Sequence, residues 1–204
     1  LKKCKKVIFA GNIIKPKITK LKLDLRGLFY IPRIVKASKK GDAEILKVLI
    51  KILSENKIKV IKLNAFNPEL TLKKGIYTKL KPTLIEKEEI LKGIKELKKI
   101  NSYNHTQAVV IRDNKVISRE TKKGTKEMIK SIPKSQKKSG ILVKLPKVKQ
   151  DLRVDLPTIG IDTFKDCNKV GIKGIVVKAN QNIILNKEVS IKYANQNKLF
   201  LIAI

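Results

Sequence analysis

Acidic residues are scarce in this sequence: 17 Asp and Glu stand against 48 Lys and Arg, a formal charge of +31. Tryptophan is absent, Met and His occur once each, and aromatic residues make up 4%. That is too few to build a platform on which nucleic-acid bases stack. The two cysteines, Cys4 and Cys167, lie in unrelated contexts without CxxC spacing, which excludes a disulfide framework. His105, between Asn104 and Thr106, reads as a surface-loop residue, and a single His is too few for a zinc site. Such cysteine usage suits a reducing compartment. No apolar run approaches the roughly 18 residues of a membrane span, because lysine interrupts every one. The chain opens on Leu1 at LKKCKKVIFAGN, which reads as the lead-in to a buried strand and as a fragment lacking its first residues.

What is present is a globular composition. The 204 residues are 42% hydrophobic, enough for one large domain or two small ones. Forty-three of the basic residues are Lys and five are Arg, spread evenly and accompanied by abundant Ile and Asn. That is the pattern of AT-rich coding. A surface selected to grip phosphate or bases would carry more Arg, whose planar fork binds them in pairs of bonds. A basic nucleic-acid-binding module remains a second reading of the charge alone, since such a field attracts any polyanion.

Strand and helix patterns interleave, so the fold class is α/β with two domains. Residues 7–10 read as a strand ended by Gly11-Asn12, whereas 13–33, bracketed by Pro16 and Pro32, resist assignment. Apolar residues at helical spacing predict a helix over 42–55 with Asp42 as N-cap, and Thr83 opens another over about 86–99. Alternation predicts strands over 57–63, 107–111 and 115–119, the last two joined across Asp113-Asn114. Further helices are predicted over 124–131, 162–170 and 187–197, with Gly171 ending the second. Further strands are predicted over 140–145, 175–177, 183–185 and 199–204. The boundary is placed in the loop near 80–86, giving domains 1–83 and 84–204.

The densest run of chemistry-bearing residues is KLPKVKQDLRVDLPTIG, residues 144–160, which follows a predicted strand as sites in α/β folds do. Extended chain would put Asp151, Arg153 and Asp155 on one side. The bland alternative is an edge strand with a salt-bridged face. Four extended residues cover about 13 Å, too far for both carboxylates to hold one Mg²⁺ at about 2.1 Å unless the chain bends sharply. Asp155, beside the turn made by Pro157 and Gly160, is therefore the better metal ligand, and Asp151 supports it or pairs with Arg153. Lys144, Lys147 and Arg153 suit phosphate. Gly124-Thr125 at a helix start offers backbone N–H groups to phosphate, or is a plain turn with Thr125 as N-cap. Asn12 and Lys15 are either phosphate contacts or ordinary turn residues.

Residues 141–160, ILVKLPKVKQDLRVDLPTIG, resemble the signature of the LpxI-type UDP-2,3-diacylglucosamine pyrophosphatases. VIFAGNIIKP (7–16), DLRGL (24–28), GDAEILK (41–47), YTKLKPT (77–83), TQAVVI (106–111), GTKEM (124–128) and LFLIAI (199–204) are similar to family segments in the same order. The resemblance implies a Rossmann-like N-terminal domain, incomplete here for want of the family's Gly-rich first turn, and a C-terminal catalytic α/β domain, with substrate enclosed between them. It implies Mg²⁺-dependent hydrolysis of UDP-2,3-diacylglucosamine, by water attack on the sugar-side phosphorus, to UMP and 2,3-diacylglucosamine 1-phosphate (lipid X) in lipid A synthesis. The aspartate of the family's VDLP motif, its critical residue, falls at Asp155. Thr158 joins the expected substrate contacts. The expected setting is the cytoplasm of a Gram-negative cell, with peripheral contact to the inner membrane and a homodimer as further expectations. Where the family flanks its Gly-Thr pair with acids, this chain has Lys123 and Lys126, which motivates a third reading: a relative that binds the nucleotide-lipid without turning it over.

Overall fold

Long apolar runs bounded by charged turns become strands buried on both faces, and this chain has four of them side by side, at 108–111, 141–144, 174–177 and 200–203. The computed structural model describes residues 4–11, 22–100, 106–148 and 150–204. They fall into two units, Leu1–Asn67 with Asp151–Asp155, and Pro68–Gln150 with Leu156–Ile204.

The first unit contains β1 (Lys6–Val7), α1 (Leu25–Ser38), α2 (Asp42–Glu55), β2 (Lys59–Val60) and α3 (Leu63–Phe66). β1 and β2 pair in parallel, the arrangement that requires a helical crossover. α2 spans the predicted residues, but Asp42 is its first residue and Gly41 is the cap. α1 occupies residues left unassigned from sequence. Asp24 caps it by accepting the Gly27 N–H at 2.7 Å, and Pro32 lies inside it. Arg33 joins the two helices, donating to both Glu55 oxygens at 2.7 and 2.8 Å.

The second unit is built on a six-stranded mixed sheet. Its strands are β3 (Gly75–Ile76), β4 (Ala108–Arg112), β5 (Lys115–Arg119), β6 (Ile141–Lys144), β8 (Gly174–Val177) and β10 (Phe200–Ala203), in the spatial order β3-β10-β8-β6-β4-β5. β6, β8 and β10 run parallel, while β3, β4 and β5 are antiparallel to their neighbours. A separate parallel pair is formed by β7 (Thr158–Ile159) and β9 (Ile183–Ile184). Four helices complete the unit: α4 (Leu84–Ile100), α5 (Gly124–Lys130), α6 (Ile161–Lys169) and α7 (Lys187–Gln196).

Side-chain alternation divides the core in two. Val110, Leu142, Ile175 and Leu201 meet Met128 of α5 and Phe164 and Cys167 of α6 on one face. Val109, Ile141, Val143 and Phe200 meet Ile90 and Leu97 of α4 on the other. The predicted hairpin forms, with Asp113 and Asn114 both at positive φ (49° and 54°), as a two-residue turn matching strand twist requires. Gly171 ends α6 at φ +79°, where a Cβ would also sit 2.7 Å from the Ser135 carbonyl oxygen.

The units divide between Asn67 and Pro68, earlier than the predicted 83/84. The reason is β3, which pairs with β10, and Thr78, whose Oγ1 accepts the Leu201 N–H at 2.9 Å. Both tie residues 68–83 to the second unit's sheet.

Candidate functional site

Lys144 ends β6, a central parallel strand, and is only 8% exposed. Burying an ammonium is costly unless it is paired and hydrogen-bonded. Its Nζ donates to Thr125 Oγ1 at 2.7 Å, and that hydroxyl donates in turn to Glu120 Oε1. Glu120, also 8% exposed, receives the Gln107 N–H on its other oxygen at 2.7 Å. The hydroxyl of Thr125 therefore has a fixed direction, between a cation and a carboxylate. Asn182, 1% exposed, donates from Nδ2 to the Lys144 carbonyl at 3.1 Å and accepts the Lys178 N–H at 2.9 Å. It thereby clamps the carboxyl ends of β6 and β8, where α/β sheets build their sites.

Beyond β6 the chain makes a tight turn over 147–150. The Gln150 N–H donates to the Lys147 carbonyl at 3.1 Å, and the Gln150 side-chain oxygen takes the Lys147 N–H at 2.9 Å. The same oxygen accepts Gln107 Nε2 at 3.2 Å. Gln107 thus links Gln150 to Glu120.

Residues 151–155, where the sequence left extended chain and a sharp bend both open, form a second turn. The Asp151 carbonyl accepts the N–H groups of Val154 (3.1 Å) and Asp155 (3.0 Å), while its Oδ1 accepts the Arg153 N–H at 3.0 Å. Arg153 then closes on the same carboxylate through Nε at 2.9 Å and Nη2 at 2.7 Å. The bond from the Arg153 guanidinium holds the Asp151 carboxyl below the usual carboxylate range, against the opposing effect of burial. The pairing of Asp151 with Arg153 is the one anticipated, but the bend removes the 13 Å spacing that separated the two aspartates. Arg153 also lines a cavity of about 380 Å³ in the first unit with Lys57, Lys59, Ile50, Ile58 and Val60.

Asp155 is half-buried, and no hydrogen bond or ion pair among the described residues engages its carboxylate. No cluster of three His, Cys, Asp or Glu able to hold a metal occurs among those residues. One open carboxylate fits Mg²⁺ in the mode in which substrate phosphates and waters complete the coordination, and does not fit an all-protein cage.

The remaining predicted residues are dispersed. Gly124 begins α5 at φ +86°, and Lys123, not Thr125, is the cap residue, without a side-chain bond. Lys126 is exposed. Lys147 is half-buried, and Thr158 Oγ1 donates to the Leu156 carbonyl at 3.2 Å. Asn12 and Lys15 lie outside the described residues. Sequence reasoning missed Glu120, Gln107, Gln150 and Asn182 as members of the cluster. No sequence signal was available, because positions 107, 120, 150 and 182 are brought together only by the fold.

Fold and cluster together define a two-domain α/β protein with a lysine-centred polar network at the carboxyl ends of its parallel strands. The LpxI N-terminal domain model matches residues 1–70 and the LpxI C-terminal domain model matches 73–202, so the chain belongs to the LpxI family. A relative from Caulobacter vibrioides, UDP-2,3-diacylglucosamine pyrophosphatase LpxI, is 28% identical over 209 residues, covering 98% of this chain and 75% of that protein.

Proposed function

We propose that this protein is a hydrolase that cleaves the pyrophosphate of UDP-2,3-diacylglucosamine, giving UMP and 2,3-diacylglucosamine 1-phosphate, the lipid A intermediate lipid X. The observation that carries the reading is the match to both LpxI domains together with a relative bearing that activity in its name. Water adds to the sugar-side phosphorus, the bond from that phosphorus to the bridging oxygen breaks, and UMP leaves with the bridging oxygen.

The side chains divide the work as follows. Asp155, with its carboxylate open, would hold Mg²⁺ together with the substrate's own phosphate oxygens. Mg²⁺ held there supplies neutralisation of the pyrophosphate's charge. Asp151 and Arg153 fix the turn that presents Asp155. Lys144, oriented through Thr125 and Glu120, meets phosphate charge as a buried cation, where a charge-assisted bond is stronger than at the surface. Lys147, Thr158 and the Gly124 backbone are further phosphate contacts. The proposed location is cytoplasmic, peripheral at the inner membrane where the lipid substrate resides. Among the described residues, no helix is long and apolar enough to cross a membrane.

A second reading, binding without turnover, rests on Lys123 and Lys126 at the start of α5, where the family signature has acids. One assay separates the two: release of UMP from UDP-2,3-diacylglucosamine by the purified chain, with and without Mg²⁺. Release that requires Mg²⁺ supports the hydrolase, and saturable binding with no release at any Mg²⁺ concentration supports the second reading.

A further inference from the structure

Helix α1 is apolar on two sides and has a neighbour on one. It packs on α2, and on that side Ile31 and Ile34 are half-buried and Ala37 is buried. On the opposite side Leu25, Leu28, Phe29 and Pro32 follow the i, i+3, i+4, i+7 spacing of a single helix face, and all four are exposed. Leu25 is 86% exposed, Leu28 56% and Phe29 71%, so nothing in the chain covers the stripe. A helix that is apolar on opposite sides needs an apolar partner for each. Single exposed apolar residues are ordinary on a folded surface, but four in one stripe mark a surface made for contact.

The charges around the stripe say what makes the contact. Residues 22–40 carry six Lys and Arg against one acid, Asp24. Lys22, Arg26, Lys36 and Lys39 are exposed, and no ion pair among the described residues engages them. A second copy of this chain would set the same cations, on a body already at +31, against themselves. An anionic bilayer answers both halves of the surface, with hydrocarbon for the stripe and phosphate headgroups for the cations. Lys36 continues the stripe one turn beyond Pro32, so its stem can stay in the apolar layer while its ammonium reaches the headgroups. We propose that the outer face of α1 docks the protein on an anionic lipid surface, the helix lying in the bilayer plane with its stripe at the headgroup boundary. The proposal rests on the peripheral location given with the hydrolase reading, for which it supplies the surface.

The test is cosedimentation of the full chain with vesicles of phosphatidylethanolamine and phosphatidylglycerol, about three parts to one, and with uncharged phosphatidylcholine vesicles. A chain at +31 adsorbs to any anionic surface, so each arm is run at about 0.1 M and about 0.5 M sodium chloride, the second screening charge within a few Å. Wild type should bind the anionic vesicles at both salts, more weakly at the higher, and should prefer them to phosphatidylcholine at the lower. Leu28→Ser combined with Phe29→Ser changes no charge. It should lower the partition coefficient on the order of a hundredfold at both salts, with an unchanged melting temperature because both side chains face water. Leu25→Ser, expected to cost on the order of tenfold, serves if the pair does not fold. Arg26→Gln combined with Lys36→Gln should cost on the order of tenfold at the lower salt and little at the higher. Serine variants that bind as wild type does overturn the proposal, because adsorption then belongs to net charge alone. So does wild-type binding that vanishes at the higher salt, or a wild-type dimer in sedimentation that the serine variants dissociate. UMP release from detergent-dispersed UDP-2,3-diacylglucosamine keeps the two readings apart. Release without vesicle binding overturns the docking face and leaves the hydrolase standing, and vesicle binding without release does the reverse.

Discussion

Asp151 and Asp155 are four positions apart and are treated oppositely by the fold. Asp151 is enclosed by Arg153, while the Asp155 carboxylate is left open among the described residues. Asp155→Ala should therefore abolish UMP release, a loss on the order of 10³-fold or more, while leaving the urea midpoint nearly unchanged, because it removes no described hydrogen bond. Asp151→Ala removes the bond to the Arg153 N–H and both guanidinium bonds, so Asp155 is presented less often. A loss on the order of tenfold is expected in turnover, and a loss at Asp151 exceeding that at Asp155 would reverse the two roles. The sequence drew attention to both aspartates but not to the turn that holds them. Asp-Leu-Arg-Val-Asp alternates as a strand does, yet the Asp151 side chain captures a backbone N–H two residues on and turns the chain. Gln150 and Glu120 were invisible for a different reason: a buried polar residue looks, in sequence, like any exposed one.

At the scale of elements, α4 shows how few side chains seat a helix. Thr83 and Glu86 make reciprocal bonds, Thr83 N–H to Glu86 Oε2 at 2.7 Å and Glu86 N–H to Thr83 Oγ1 at 3.3 Å. Lys173, just before β8, reaches the other Glu86 oxygen at 2.7 Å. Burial raises the Glu86 pKa, but Lys173 and the Thr83 bonds outweigh it and hold the carboxyl below its ordinary value. A folded-state pKa below the unfolded one contributes stability above about pH 4.3 that disappears as pH falls through the folded value. Glu86→Gln should accordingly destabilise by about 1–2 kcal/mol at pH 7 in urea unfolding, with the difference from wild type closing below about pH 4. Further along the helix, Gly93 faces the sheet, and a Cβ there would lie 2.6 Å from Val143 Cγ2 and 3.3 Å from Ile111 Cγ1. Alanine's better helix propensity, about 1 kcal/mol, opposes an overpacking cost of roughly 1–3 kcal/mol. The closeness of both contacts favours the cost, so Gly93→Ala should lower the urea midpoint. Helices with uninterrupted apolar spacing, such as α2, were legible in the sequence. α1 was not, because Gly27 and Pro32 break the propensity signal that its Asp24 cap and its packing on α2 override. The two-residue strands β3 and β7 carry no period to read and exist through their partners β10 and β9.

For the whole molecule, the α/β class followed from interleaved patterns, and the net charge from counting side chains. A chain at +31 repels itself, and the few ion pairs among the described residues leave most lysines facing water. Raising sodium chloride from about 10 mM to about 0.15 M shortens the screening distance from roughly 30 Å to 8 Å. The melting temperature should rise over that range, and a fall would show that specific ion pairs outweigh the net repulsion. The sheet itself imposes an order in time. β10, residues 200–203, is an inner strand flanked by β3 at 75–76 and β8 at 174–177, so the ribosome makes it after every other strand of the sheet. Until Phe200 to Ala203 emerge, β3 has no partner and β8 presents an apolar edge to solvent, the kind of surface on which nascent chains stick to one another. Translation stalled anywhere before residue 200 thus yields a chain in need of a chaperone.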